Sequence, residues 1–165
     1  MILTKEKIKE EIKNKNIKIT PYNPKNLGPA SYDLTLDDSF RVYKGNKKIN
    51  VSEATDYKKY TKLVKGKITL KQGEFCIGIT KEKITLPENI CAWLGGRSRF
   101  ARLGIQIHST AAFLQPGIDN RQALEIYNLS PNTLELKPGL KICQVIFETC
   151  QGKARYKGKF SNQKI

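Results

Sequence analysis

The spacing of turn signals constrains this chain more than any other feature. After one helical stretch near the N-terminus, apolar residues come in short runs, cut repeatedly by Gly, Pro, Asn and Ser. Thr4 stands where a helix cap belongs, Ile8 and Ile12 fall four apart, and the helix is expected to end near residues 14–16. Strands are expected over residues 32–36, 40–43, 47–51, 67–70, 75–80, 89–94, 105–107, 123–129, 134–136 and 141–148. Residues 52–62 read as loop. The Gln72-Gly73, Pro131-Asn132 and Pro138-Gly139 pairs read as turns, and residues 97–103, bounded by glycines, as a short internal helix. Many short strands with two short helices predict an all-β sandwich, jelly roll or barrel. Residues 1–150 form the expected single β-rich domain, and residues 151–165 a polar tail able to order over a ligand.

Composition narrows the function classes. No apolar run is long enough for a membrane helix, and Met1-Ile2-Leu3-Thr4-Lys5-Glu6 passes straight into charge without the apolar stretch of a signal peptide. A cytoplasmic location is the resulting expectation. Thirty Lys and Arg against 15 Asp and Glu give +15, which favours an anionic partner. Scattered lysines on a solvated face account for much of that surplus equally well. Few aromatics accompany the basic residues in sequence, so a stacking platform for single strands, and nucleic acid generally, is disfavoured. Cys76, Cys91, Cys143 and Cys150 form no C-x-x-C pair and read as reduced, mostly buried side chains. With one histidine and no close cysteine pair, no zinc site is expected.

Two segments can carry chemistry. Gly96-Arg97-Ser98-Arg99-Phe100-Ala101-Arg102-Leu103-Gly104 gathers three arginines and a serine, and guanidinium groups bind phosphate oxygens through paired donors. If residues 97–103 are helical, Ser98 and Arg102 share a face. The same segment reads equally as a solvated basic helix. Glu125 lies inside an apolar strand, with Ala123 and Tyr127 on its own face and Leu124 and Ile126 on the other. Burial disfavours the charged form of a carboxyl and a neighbouring arginine favours it, a balance suited to proton transfer. A structural glutamate paired with a core arginine fits the same spacing. Thr110-Ala111-Ala112-Phe113-Leu114-Gln115-Pro116-Gly117 is a bend of small and apolar residues, able to shape a pocket for a planar ring or to be an ordinary strand corner. His108, without a triad spacing, reads as a satisfied core histidine.

The combination G-R-S-R-F-A-R-L-G, H-S-T-A, L-E-I-Y-N and P-G-L-K-I-C-Q-V-I-F resembles the dCTP deaminase branch of the dCTP deaminase/dUTPase superfamily. Ala30-Ser31-Tyr32-Asp33-Leu34 and the ending from Tyr156 to Gln163 look like the same family, and residues 37–60 are the part least like it. The resemblance implies a jelly-roll or β-clip-like distorted barrel, assembled as a homotrimer with sites shared between subunits. It implies hydrolysis of dCTP to dUTP and ammonia, with Mg²⁺ bound through the triphosphate and no zinc. Glu125 then matches the proton-transfer residue, and Ser98 and Arg102 match residues beside the reacting ring and its water. Arg97, Arg99, Phe100 and Ala101 fall in the nucleotide-binding segment, with Arg99 where a small residue is common. Ala111 belongs to the nucleotide-binding set, Ala123 and Leu124 match residues lining the base, and Tyr156, Lys159 and Gln163 match C-terminal nucleotide contacts.

One departure bears on the product. Gln115 stands where many members have Asp, a residue that meets the sugar hydroxyl and in dUTPases helps activate water. Gln hydrogen-bonds a hydroxyl but does not usefully accept a proton. This weighs against a dUTP pyrophosphatase or a bifunctional enzyme more than against a deaminase; Asp119 lies nearby in sequence. A non-catalytic basic module binding nucleotide or nucleic acid is the reading from another class.

Overall fold

Alternating apolar residues give each sheet one buried face, and the turn residues decide where the chain crosses between sheets. The computed structural model describes residues 1–165 other than 159, 162 and 164. Its elements are helix α1 (Lys5–Lys13), strands β1 (Lys18–Thr20), β2 (Tyr32–Thr35), β3 (Ser39–Tyr43), β4 (Thr61–Lys65), β5 (Ile68–Leu70), β6 (Phe75–Thr85) and β7 (Ile90–Gly96), helix α2 (Ser98–Ala101), and strands β8 (Ile105–Ile107), β9 (Phe113–Leu114), β10 (Asp119–Asn128), β11 (Leu134–Leu136) and β12 (Lys141–Thr149). All pairings are antiparallel. One sheet runs β4-β3-β6-β10-β8, with β1 also on β6; a second runs β2-β12-β7-β9; β5 and β11 form a ribbon. The all-β, jelly-roll-type expectation therefore holds, with the two short helices where the sequence put them.

Between the sheets lies a core that includes Tyr32, Leu34, Leu36, Phe40, Ile84, Leu124, Ile126 and Phe147, each almost wholly removed from water. At about 1.5–3 kcal/mol per large apolar side chain, this burial drives the assembly of the sheets. α1 adds Ile8, also fully buried. Thr4 occupies the N-cap position of α1 without a side-chain cap bond, and Pro29 O accepts the Lys5 N–H at 2.7 Å instead. Cys76, Cys91 and Cys143 are buried and free, and burial pushes the Cys76 thiol up to about 12.

Three local readings are corrected. Residues 47–51 form no strand: Val51 is 90% exposed, so the Ile49/Val51 alternation has nothing to pack on. Residues 52–62, read as loop, contain a 3₁₀ turn at Tyr57–Lys59 and the first residues of β4, an edge strand that buries only Thr61 fully and so lacks a clear apolar signature. β1 and β9 were not expected from the sequence; each is too short to show alternation. The Gln72-Gly73 turn joins β5 to β6, as read from the sequence.

Candidate functional site

β10 and β6 form the longest ladder of the molecule, from Asp119 opposite Thr85 to Tyr127 opposite Phe75. Between Arg121 and Ala123 the register shifts, because β6 carries extra residues over Thr80–Glu82. Thr80 Oγ1 accepts the Gln122 N–H at 2.9 Å and donates to Glu82 O at 2.8 Å, so the irregularity leaves its central amide bonded. Asn120 and Gln122 from one side, and Ala123 and Glu125 from the other, line a single cavity of about 430 Å³.

Glu125 is half-buried there, and its own strand does not hold its carboxylate; the chain after β8 does. His108 N donates to Glu125 O at 2.9 Å, extending the β8–β10 pairing by one step. His108 then turns with φ 57, a left-handed conformation uncommon outside glycine. That turn aims the next two amides back. Ser109 N and Thr110 N each donate to Glu125 Oε2 at 3.0 Å, and Thr110 Oγ1 lies 3.2 Å from the same oxygen. Oε1 is contacted only by Thr110 Oγ1, at 3.3 Å, which leaves it the freer oxygen. No described arginine pairs with Glu125, so it is not the core ion-pair glutamate that the spacing also allowed.

His108 corrects its own reading. Both ring nitrogens are buried without a hydrogen-bond partner, and the ring lines the cavity rather than resting satisfied in the core. Burial lowers its pKa from the ordinary 6.5, against the opposing pull of the Glu125 charge, so the ring is neutral at pH 7.

Of the residues expected to bind or react, Ala111, Gln115, Ala123, Glu125, Tyr156 and Gln163 come together at this cavity. The tail reaches it through Tyr156 N, which donates to Pro116 O, and through Gln163 Nε2, which donates to Arg121 O at 2.8 Å. Gly117, at φ 76, lets the tail lie close, since a Cβ there would sit 2.9 Å from Arg155 Cγ. Lys159 lies outside the described residues. Leu124 is fully buried with its side chain in the core.

The arginine segment stands apart. Arg97 caps α2, pairs with Asp33 at 3.1 Å and donates to Lys141 O at 2.8 Å, which ties the two strands flanking β12. Ser98, Arg99, Ala101 and Arg102 are exposed and Phe100 is half-buried, and none of them lines the Glu125 cavity. Phe113, from the bend read as able to shape a ring pocket, and Phe160 of the tail also line the cavity, as do Tyr57, Asn120 and Gln122, which were not singled out from sequence. Only Asn120 and Gln122 carried a signal, as polar residues on the apolar alternation of β10.

Comparison with known proteins converges on one family. The family model described as "dCTP deaminase-like" matches residues 2–150. A "dCTP deaminase, dUMP-forming" of Pseudarthrobacter chlorophenolicus is 33% identical over 99% of this chain and 89% of its own. One so named from Clavibacter michiganensis is 36% identical over 89% of this chain and 75% of its own. Among solved structures, the 2'-deoxycytidine 5'-triphosphate deaminase of Agrobacterium tumefaciens matches with TM-score 0.70 at 18% identity, over 88% of this chain and 47% of that one. A dUTPase of Staphylococcus bacteriophage 80alpha matches with TM-score 0.53 at 10% identity, over 87% and 96%. The two structures speak to the fold, and the family match and curated relatives to descent: this chain belongs to the dCTP deaminase-like family.

Proposed function

We propose that this protein deaminates dCTP by hydrolysis and carries the product on to dUMP. Glu125 takes a proton from a water that attacks C4 of the cytosine ring. The new C4–O bond forms and Glu125 hands that proton to N3, where it stays; Glu125 then carries the proton of the C4 hydroxyl to the exocyclic nitrogen, C4=O forms as the C4–N bond breaks, and ammonia leaves. Glu125 ends as it began. The observation that carries this reading is the Glu125 carboxylate, fixed by two backbone amides at 3.0 Å with its other oxygen freer, in a cavity large enough for a pyrimidine ring. Ser98, at the start of α2, and Arg102, at its C-cap, both exposed, orient the water and stabilise developing charge in the cavity of a neighbouring subunit of a homotrimer. Tyr156, Lys159 and Gln163 close the tail over the nucleotide, and Arg97 and Arg99 belong to the anion-binding segment.

Among the described residues no group of three or more His, Cys, Asp or Glu is disposed to hold a metal ion. A Mg²⁺ ion would be held through the triphosphate, and the chain's part would be to bind the charge-neutralised nucleotide. No helix among the described residues is long and apolar enough to cross a membrane. A cytoplasmic nucleotide pool fits the substrate.

The dUMP product replaces the dUTP expected from the sequence, because the curated relatives are named dUMP-forming. Release of dUTP is the second reading, and Gln115 favours it. Glu125 is the only carboxylate among the described lining residues, and Gln115 does not accept the proton of a water attacking the phosphate chain. Incubation with dCTP and Mg²⁺, with ammonia, pyrophosphate, dUTP and dUMP quantified, separates the two. Equal yields of ammonia and pyrophosphate are expected; ammonia with accumulating dUTP establishes the second reading. Glu125→Gln should bind dCTP and lose at least about 100-fold in ammonia release, as for loss of a general acid–base, and undiminished turnover would remove Glu125 from the mechanism.

A further inference from the structure

The catalytic reading leaves most of the positive charge unused, and that charge is not evenly spread. Residues 41–67 carry nine lysines and arginines against two acids, a surplus of seven within a net +15. This stretch overlaps the part of the sequence least like the family. β3, β4 and the loop between them fold it around a second hollow of about 890 Å³, beside the catalytic one but separate from it. The 3₁₀ turn joins the two: Tyr57 lines the catalytic cavity, and Lys59 and Tyr60 line the other.

Lys44, Lys47, Lys59 and Lys62 surround this hollow. Among the described residues none of the four forms an ion pair, whereas Lys65 and Lys67 on the same stretch are matched by Asp38 and Glu135. Glu74 is the one acid among the described lining residues, and it is turned to its own turn, accepting the Lys71 N–H at 2.7 Å. Folding adds a further aromatic to those already beside the lysines. Phe75, from β6, meets Tyr43 at the end of β3 with ring centroids 6.2 Å apart and planes at 45°, and Tyr43 is 44% exposed. Aromatic faces are thus interleaved with unpaired lysines, as Tyr43-Lys44 and the run from Tyr57 to Lys62 already show along the chain.

We propose that this hollow binds single-stranded nucleic acid, with phosphates on Lys44, Lys47, Lys59 and Lys62 and a base stacked on Tyr43. A concave surface with cations does not suit a membrane plane. Its volume is about twice that of the nucleotide cavity, and a run of phosphates uses four unpaired cations that a free mononucleotide would leave partly idle.

Fluorescence anisotropy of a labelled 20-nucleotide oligo-dT with the full chain tests this, titrated between 50 and 300 mM salt. If all four lysines meet phosphates, the logarithm of affinity should fall with that of salt at a slope of about −3, near 0.7 per contact for single strands. The K44A/K47A/K62A variant should weaken binding at least tenfold at 50 mM salt and flatten the slope by about 2. Tyr43→Ala should weaken binding several-fold at unchanged slope. Neither change touches the catalytic cavity, so ammonia release from dCTP reports that each variant is folded. Absence of binding at 50 mM salt, or a triple variant as tight and as steep as the parent, overturns the proposal. So does displacement of the oligonucleotide by saturating dCTP, which would place it in the catalytic cavity. Polyphosphate competing as well, phosphate for phosphate, rules out recognition of bases.

Discussion

His108 is the only histidine of the chain, so its titration can be read without interference from another imidazole. Burial holds its folded pKa below 6.5, with Glu125 the charge that opposes the shift. In the unfolded chain the ring takes its proton as pH falls through about 6.5; in the folded protein it does so only lower. The unfolded state therefore binds more protons in that window, and stability falls as pH drops from 7.5 towards 5.5. His108→Asn keeps a residue that tolerates φ 57 and removes the titration. Denaturant midpoints of the variant should depend less on pH across this window than those of the parent, and identical dependences would mean that His108 does not carry it. Sequence could not show this. The strand run ending at Ile107 marks where β8 stops, but the left-handed turn at His108 is settled by Ser109 and Thr110, whose amides must reach Glu125. Glu125 itself was legible, because a carboxylate flanked by apolar residues at strand spacing has few places to go. Its partners were not, since they come from a segment some fifteen residues earlier.

At the level of elements, the irregular stretch of β6 opposite Gln122 decides what faces the cavity. Thr80 is fully buried and bonds both Gln122 N and Glu82 O. Glu82, 3% exposed, is held in turn by the Thr35 N–H at 2.7 Å, so this irregularity also fastens β2 to β6. Thr80→Val keeps the shape and strands the buried Gln122 N–H, a loss of about 1–3 kcal/mol. Chemical denaturation should show a lowered midpoint at unchanged slope, and a midpoint equal to the parent's would show that the amide finds another partner. Strands with strong alternation were legible to within a residue or two, as β3, β8, β11 and β12 show. The sequence reading began β10 at Ala123, missing Asp119–Gln122, because Asn120 and Gln122 replace apolar residues on its buried face. β4 was missed for the opposite reason: an edge strand with Leu63 48% exposed carries too little burial to leave a pattern.

For the whole molecule, the proposed reaction needs cations that the described residues of the cavity's own chain do not supply. The described residues lining the Glu125 cavity include no lysine or arginine, although the proposed substrate is a triphosphate. Arg99 on α2 and Arg102 at its C-cap lie exposed and form no ion pair among the described residues. In the homotrimer proposed above, α2 of each copy would face the next copy's cavity, supplying the missing charge and giving each site one Glu125 and one Arg102 from different chains. Light scattering should then return about three times the 18.7 kDa chain mass. Two variants make the sharing measurable. Glu125→Gln and Arg102→Ala should each be nearly inactive alone. Co-expressed in equal amounts and assembled at random, they should regain about a quarter of parental ammonia release, because a site works only when the first variant supplies its intact arginine and the second its intact glutamate. Activity no higher than that of either variant alone would mean that each cavity is completed within its own chain, and the exposed arginines of α2 would then need another explanation.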